Sequence, residues 1–293
     1  MGEFVSVIIP VYNKGHLLLE AIDSVMAQTY RNFEVVVVDD GSQEDIGGML
    51  KKYPPDRVRY IPIPHSGHPS VGRNRGIGLA KGDLIAFLDT DDRWTPDKLG
   101  EQVKIMRENP GIGLVSADAH IIVYEKVVPE TSFLSLYSNA DVGKALSGDL
   151  WKKLLFDNFI VTSTVMVRRS LLEKSGLFST SEKQKISQDY DLWLRIAAIS
   201  GIYYVPKNLA YYRITGGLHN DETPMIFWDG MLDMFTGLRD YLVRIGAGQG
   251  QIHLVNRRIF ETRSYISLSH KDVVHSLANL SGYFYYRLRS AVA

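Results

Sequence analysis

Over the first 115 or so residues, short runs rich in Val, Ile, Leu and Phe alternate with amphipathic stretches, and few folds accommodate that rhythm. The runs Val5–Pro10, Phe33–Val38, Val58–Pro62, Leu84–Leu88 and Gly113–Ala117 are nearly unbroken in apolar character and bounded by turn residues. That pattern fits strands buried on both faces, as in a mostly parallel sheet covered by helices. The intervening stretches Leu17–Gln28, Asp45–Lys52, Ser70–Lys81 and Pro96–Asn109 carry helical spacing. Thr95 before Pro96 reads as a helix N-cap, and Gly82 after Lys81 as a C-terminal stop. The class is therefore α/β.

Beyond residue 118 the pattern loosens, and Tyr124–Tyr137 mixes polar and aromatic residues with no clear period. A helix is expected around Ser147–Phe156, a strand at Ser163–Val167, a helix at Tyr190–Ile199 behind an acidic first turn, and one or two strands over Tyr203–Arg213. From Thr223 the chain reads as helices broken at Gly246-Ala-Gly248-Gln-Gly250.

Composition narrows the function. With 293 residues, 45% hydrophobic and 11% aromatic, a sizeable core is available. Lys plus Arg number 33 and Asp plus Glu 33, so no bulk basic field exists to hold a nucleic-acid backbone. Zero cysteines exclude disulfides, thiolate chemistry and Cys zinc sites. No secretory signal is expected from the opening residues, the Met-Gly-x-x-x-Ser start and the sequon at Asn279 read as chance, and no apolar run is long enough to span a bilayer. The dinucleotide and P-loop glycine fingerprints and the Gly-x-Ser-x-Gly elbow are absent.

Acidic residues cluster where such a sheet binds ligands. Asp89-Thr90-Asp91-Asp92 follows Leu84–Leu88, and ligands of parallel α/β sheets gather at the carboxyl ends of strands. Adjacent carboxylates repel unless a cation or a dense donor set neutralises them; hard oxygens suit Mg²⁺ or Mn²⁺, while a solvated helix-capping turn is the plainer reading. Asp39 and Asp40 end the second strand, where a carboxylate accepts from a nucleobase N–H or simply makes an Asx turn. Tyr12, at the end of the first strand, offers a ring for stacking. Arg73 and Arg75 in Gly72-Arg-Asn-Arg-Gly76 could meet a diphosphate. His65 and His68 lack further ligands nearby and do not make a metal pair. Asp189-Tyr190-Asp191 opens a helix, where the dipole alone favours carboxylates, though one of them could act as a general base.

Taken in order, Val7-Ile-Ile-Pro-Val-Tyr-Asn13, Ser24–Thr29, Val38-Asp-Asp-Gly-Ser42, Gly72–Gly76, Gly82–Asp92 and Asp189-Tyr-Asp-Leu-Trp193 resemble the family 2 inverting glycosyltransferases. The resemblance covers roughly residues 4–215 and is densest over 4–100. It implies a GT-A fold, a Rossmann-like, mostly parallel sheet flanked by helices, with a C-terminal helical extension. Residues 1–117 would form the nucleotide-sugar-binding half, 118–220 the acceptor-side half with the catalytic base, and 221–293 the helical extension. It also implies roles. Pro10 and Tyr12 would line the base pocket, Asp40 would accept from the base, Arg73 would lie near the diphosphate, and Thr90 would belong to the nucleotide site. Asp91, with Asp89 beside it, would bind Mn²⁺ or Mg²⁺, Asp89 lying nearer the ribose or sugar and Asp92 behind them. Asp189 would be the catalytic base; Gln188 departs from the Glu common at that position. Arg213 and His219, in Tyr212–His219, would sit on a loop closing over the diphosphate.

The implied activity is metal-dependent transfer of one sugar, with inversion, from a nucleotide-diphosphate sugar, expected to be a UDP-sugar, to a glycan or lipid-linked acceptor in polysaccharide assembly. The Gln-x-x-Arg-Trp signature of processive synthases is absent, so single transfer is expected. Two other readings stay open: a nucleotide-sugar-binding module without turnover, and a sugar nucleotidyltransferase, which would want a Gly-rich triphosphate loop that this chain lacks. The mix of bases and aromatics at Arg257, Arg258 and Ser281–Arg289 could rest on an anionic membrane surface. The expected location is the cytoplasm, with peripheral contact to the cytoplasmic membrane face as a further expectation.

Overall fold

The computed structural model describes residues 3–138, 146–148, 150–214 and 223–266. In chain order the elements are β1 (Val5–Val11), α1 (Gly15–Met26), β2 (Phe33–Asp39), α2 (Ile46–Met49), β3 (Val58–Pro62), α3 (Pro69–Leu79), β4 (Leu84–Phe87), β5 (Arg93–Trp94) and α4 (Lys98–Glu108). There follow β6 (Ile112–Val123), β7 (Lys126–Ser132), α5 (Phe133–Tyr137), β8 (Leu146–Gly148), α6 (Trp151–Phe156), β9 (Met166–Arg168), α7 (Arg169–Ser175), α8 (Gln188–Ala197), β10 (Gly201–Arg213) and α9 (Thr223–Arg244). A last helix occupies residues 249–266.

Ten strands among the described residues make one sheet in the order β3-β2-β1-β4-β9-β6-β10-β5, with β7 added on β6 and β8 on β10. The block β3-β2-β1-β4 is parallel, β9 runs antiparallel between β4 and β6, and β10 is again parallel to β6. The α/β class read from the sequence is the class observed, and the sheet runs without a break from the first half of the chain into the second.

Period-2 alternation divides the core between the two faces. Val5, Val7, Ile9 and Val11 of β1 pack with Leu18, Ile22 and Val25 of α1 and Leu99, Val103 and Met106 of α4. Ile8 points the other way, into a cluster with Ile77 of α3, Trp151 of α6, Trp193 of α8 and Phe235 of α9. At about 25 cal/mol per Å² of apolar area, these two clusters supply the main stabilising term.

Several elements differ from expectation for identifiable reasons. The fifth strand continues past Ala117 to Val123 and returns as β7 through the two-residue turn Tyr124-Glu125, whose φ angles are 47° and 63°. Such a turn normally announces itself with Asn or Gly, and neither is present. The helix expected over Ser147–Phe156 begins only at Trp151, because Leu146–Gly148 pairs with β10. Thr95 does not cap α4; its hydroxyl donates to Asp97, and the helix starts at Lys98. Gly82 is not a left-handed helix stop either. A Cβ there would lie 2.6 Å from both the Phe4 carbonyl and the Ser6 nitrogen, so glycine is required by contact with β1.

Candidate active site

The chain leaves β1 outward to β2 and β3, then returns to place β4 on the other side of β1. The carboxyl ends of β1 and β4 thus flank the point where strand order reverses, the usual crevice of open α/β sheets. A cleft of about 540 Å³ lies there, and Pro10, Tyr12, Asp40, Arg73, Asp89, Thr90 and Asp91 all line it. Helix α3 forms one wall because Gly72 and Gly76 let it approach β1: Cβ atoms there would lie 3.2 Å from Pro10 Cβ and 2.5 Å from Ile8 Cγ2.

The acidic turn after β4 is held by partners distant in sequence. Thr90 Oγ1 donates to the Pro10 carbonyl, joining the ends of β4 and β1. Asp92 is buried; its Oδ2 accepts from Ser163 Oγ at 2.5 Å and its Oδ1 from the Arg213 N–H at 2.9 Å. Burial, then the charges of Asp91 and Asp89, push the Asp92 carboxyl well above the usual carboxylate range. Asp89 and Asp91 remain partly exposed, with Arg73 Nη2 at 2.5 Å from Asp89 Oδ1 and Lys14 Nζ at 2.8 Å from Asp91 Oδ2. Burial works against the Arg73 charge, but Asp89, then Asp189 and Asp91, raise its pKa on balance. Among the described residues, Arg73 Nε and Nη1 are buried without a hydrogen-bond partner.

Among the described residues no three His, Cys, Asp or Glu side chains converge on a preformed metal cage. Asp91 and Asp89 nevertheless suit a hard divalent cation, which takes one or two carboxylates and completes its shell with water and substrate phosphate oxygens. The donor set fits a cation that arrives with phosphate.

One corner of the cleft is built on Asp40. Its Oδ1 accepts from Ser66 N–H at 2.8 Å and Ser66 Oγ at 2.7 Å, and its Oδ2 from Gly67 N–H at 3.1 Å. His65 Nδ1 lies 2.8 Å from the Asp40 carbonyl and 3.1 Å from Oδ2. If that N–H serves the carbonyl, Oδ2 keeps one lone pair for a ligand donor. The His65 ring stacks on Tyr12 with centroids 4.1 Å apart, and Tyr12 stays 42% exposed as an aromatic surface at the cleft. Gly41, at φ 74°, allows this loop: a Cβ there would meet the His65 nitrogen at 2.8 Å. Asp39 is spent locally, accepting from Ser42 N–H and from Tyr60, whose hydroxyl is pushed up to about 12 by burial and then by Asp39 itself.

Asp189 occupies the first turn of α8, where Thr162 Oγ1 donates to its Oδ2 at 2.7 Å. It does not line the cleft as delimited above, but its charge acts on Arg73, which does. Gln188, buried beside it, accepts from Ser70 Oγ at 3.1 Å and so ties α8 to α3. Asp191 has a structural partner. Its carboxylate pairs with Arg195 at 2.6 Å, and Arg195 in turn donates to the carbonyls of Ser175, Gly176 and Leu177 at the end of α7. Arg213 sits behind the acidic turn, its guanidinium engaged by the Asp91 carbonyl, Glu125 and Glu20. His219 and the 281–289 segment lie outside the described residues.

Four contributors were not assigned to the site from the sequence. Lys14 and Lys185 line the cleft, His65 stacks on Tyr12, and Ser163 anchors Asp92. The position of Lys14 after the Tyr12-Asn13 strand end was the one available clue.

Comparison with known proteins identifies the family and the fold. The model for "Glycosyl transferase family 2" matches residues 6–175. An uncharacterized glycosyltransferase of Rickettsia felis is 34% identical over 232 residues, 78% of this chain and 36% of the relative. The chain spans about a third of the length of the first curated relatives it matches. The Escherichia coli UDP-Glc:alpha-D-GlcNAc-diphosphoundecaprenol beta-1,3-glucosyltransferase WfaP is 30% identical, over 73% of this chain and 79% of its own. Among solved structures, S. aureus TarS 1–349 in complex with UDP-GlcNAc superposes with a TM-score of 0.72 at 19% identity, covering 94% of this chain and 77% of that one. The mannosyltransferase PcManGT of Pyrobaculum calidifontis, in complex with GDP-Man and Mn²⁺, gives 0.61 at 17% identity, covering 98% and 81%. These structural likenesses concern the fold. With more than half of its length inside the family model, this chain belongs to glycosyl transferase family 2.

Proposed function

We propose that this chain transfers one sugar, with inversion at the anomeric carbon, from a nucleoside-diphosphate sugar to a hydroxyl of a glycan or lipid-linked saccharide in polysaccharide assembly. The observation that carries the reading is the convergence, in one cleft at the switch point, of Tyr12, Asp40, Arg73, Asp89 and Asp91. The relative named for a UDP-Glc donor and a diphosphoundecaprenol-linked acceptor, and the fold shared with a UDP-GlcNAc complex, support a UDP-sugar and a lipid-linked acceptor.

In this reading residues 1–117 hold the donor, 118–220 the acceptor and the base, and 221–293 an extension. Tyr12 stacks on the base, Pro10 lines its pocket and Asp40 accepts its N–H; Thr90 keeps the ends of β1 and β4 together beneath it. Arg73, which lines the cleft, lies near the diphosphate as a fixed positive charge. Asp91 and Asp89 would hold Mg²⁺ or Mn²⁺, which when bound neutralises charge on the departing diphosphate. Asp189, fixed by Thr162, accepts the proton of the acceptor hydroxyl as it attacks from the opposite face. Arg213 supports the turn from behind, and His219 remains the candidate loop contact of the resemblance.

No helix among the described residues is long and apolar enough to cross a membrane. Peripheral contact with the cytoplasmic membrane face belongs to the same proposal, supported by exposed Val243, Ile245 and Phe260 beside Arg244 and Arg257.

The test is calorimetric titration with UDP, dTDP, GDP and CDP, each with and without Mn²⁺, followed by Asp189→Ala. One diphosphate should bind selectively and better with Mn²⁺, and Asp189→Ala should keep that binding while losing transfer. Transfer near the wild-type rate in Asp189→Ala would overturn the base assignment, and no binding of any diphosphate would overturn the donor site.

A further inference from the structure

We infer that Lys14 is a resident counter-ion that occupies the proposed metal-binding carboxylate of Asp91 and yields it only when a diphosphate arrives, so that cation and donor bind as a coupled pair. The inference rests on the donor-site reading above and goes beyond it, because it concerns what holds the site before substrate.

The acidic turn is balanced by the protein's own cations. Asp89 is paired with Arg73 and Asp91 with Lys14, while Asp92 is buried and held by Ser163 and the Arg213 backbone. These pairings lower the negative charge that the turn offers to a free divalent cation, although Asp189 adds its charge near Arg73. The two pairs are not equivalent, however. Arg73 is fixed: it is 5% exposed and its guanidinium lies over Phe178. The Lys14 side chain is 45% exposed, and among the described residues its ammonium donates to Asp91 alone.

The backbone beneath Lys14 is anchored while the side chain is not. Asn13, at φ 49°, donates its N–H to Ser42 Oγ at 3.0 Å, and its Oδ1 accepts from Gln43 N–H at 2.7 Å. Gly15 N–H donates to Glu44 Oε2 at 3.0 Å. From this fixed root a four-carbon stem can swing between the Asp91 carboxylate and a diphosphate in the same cleft, both of which accept from an ammonium. A cation approaching alone must displace the ammonium with no compensation. Arriving with a diphosphate, it releases Lys14 to a new anionic partner, so each ligand raises the affinity of the other by the same factor.

The test is the affinity of the free protein for Mn²⁺, followed by the EPR signal of unbound Mn²⁺, in wild type, Lys14→Met and Lys14→Arg, without and with UDP or GDP. Wild type should bind Mn²⁺ weakly alone and at least about tenfold more tightly with the nucleotide. Lys14→Met should bind Mn²⁺ alone about tenfold more tightly than wild type and show a coupling reduced by about that factor, the direct contact of cation with phosphate remaining, while Lys14→Arg, which keeps the pair, should retain the wild-type coupling. Circular dichroism melts should be alike, since an exposed ion pair contributes little to stability. Equal Mn²⁺ affinities and equal coupling in wild type and Lys14→Met, with nucleotide binding intact, would overturn the lock and leave the donor site standing. Failure of wild type to bind either nucleotide would overturn both.

Discussion

Two glycines on the same helix should respond in opposite directions to the same added methyl group. At Gly76 a Cβ would lie 2.5 Å from Ile8 Cγ2, 3.2 Å from Ile8 Cδ1 and 3.3 Å from Val38 Cγ2, whereas at Gly78 it meets nothing within 4 Å. Ile8 and Val38 are fully buried in adjacent central strands, and β-branched side chains have few rotamers to retreat into. Relief therefore needs a movement of α3 away from β1 by about 1 Å, and overpacking of this kind costs about 1–3 kcal/mol. Alanine returns about 1 kcal/mol of helix propensity at either position. Gly78→Ala should thus be stabilised by up to about 1 kcal/mol, and Gly76→Ala destabilised by about 1 kcal/mol. Because propensity cancels between them, the difference isolates the strain against β1. Urea unfolding of the three proteins, compared by midpoint at a common slope, measures it. Gly76→Ala should also bind nucleotide less well, since α3 carries Arg73 toward Asp89. A Gly76→Ala protein as stable as Gly78→Ala would refute the argument that contact with β1 requires glycine there.

Two further outcomes test the base corner and the far end of the sheet. Tyr12→Ala should weaken nucleotide binding by about 1–2 kcal/mol, the worth of one stacked base, with little change in stability because Tyr12 is 42% exposed; an unchanged Kd by calorimetry would remove the base from that ring. Glu34 is buried: burial pushes its carboxyl up, but donation from Ser6, the Lys81 N–H and Arg59 brings it on balance below the ordinary value. Its stabilising contribution is therefore present above the unfolded Glu pKa of about 4.3 and disappears as pH falls through the lower folded value. Glu34→Gln should lose about 1–3 kcal/mol at pH 7, with the gap to wild type closing toward pH 3 in urea melts; a gap that does not narrow would exclude Glu34 as its source.

The parallel block was legible because its strands are buried on both faces, so their composition alone marks them. What followed residue 118 was not. Strand β7 alternates poorly, with Val127 43% exposed and Pro129 inside it, and its turn uses Tyr124 and Glu125 at positive φ where no local cue exists. Strand β8 is three residues long and is defined by pairing with β10, more than fifty residues later. Local propensity cannot register a partner at that distance.

The site divides along the same line. Which strand ends bear carboxylates was readable, since a sharp change from apolar run to acidic turn is a local event. Which oxygen each carboxylate turns to which partner was not, because three adjacent aspartates look alike until Arg73, Lys14 and Ser163 arrive from 16, 77 and 71 residues away. Those partners make the three carboxylates unequal: Asp92 is withdrawn into the core, Asp89 is tied to a rigid arginine and Asp91 to a movable lysine. The same reasoning separates Asp189 from Asp191 two residues on, for a helix turns the second carboxylate toward Arg195 and the end of α7 while the first stays within electrostatic reach of Arg73. Function in such a cluster is therefore assigned by the cations and hydroxyls that a carboxylate meets across the fold, and the most exchangeable of these pairs, Lys14 with Asp91, is where the arrival of a substrate can alter the site at least cost.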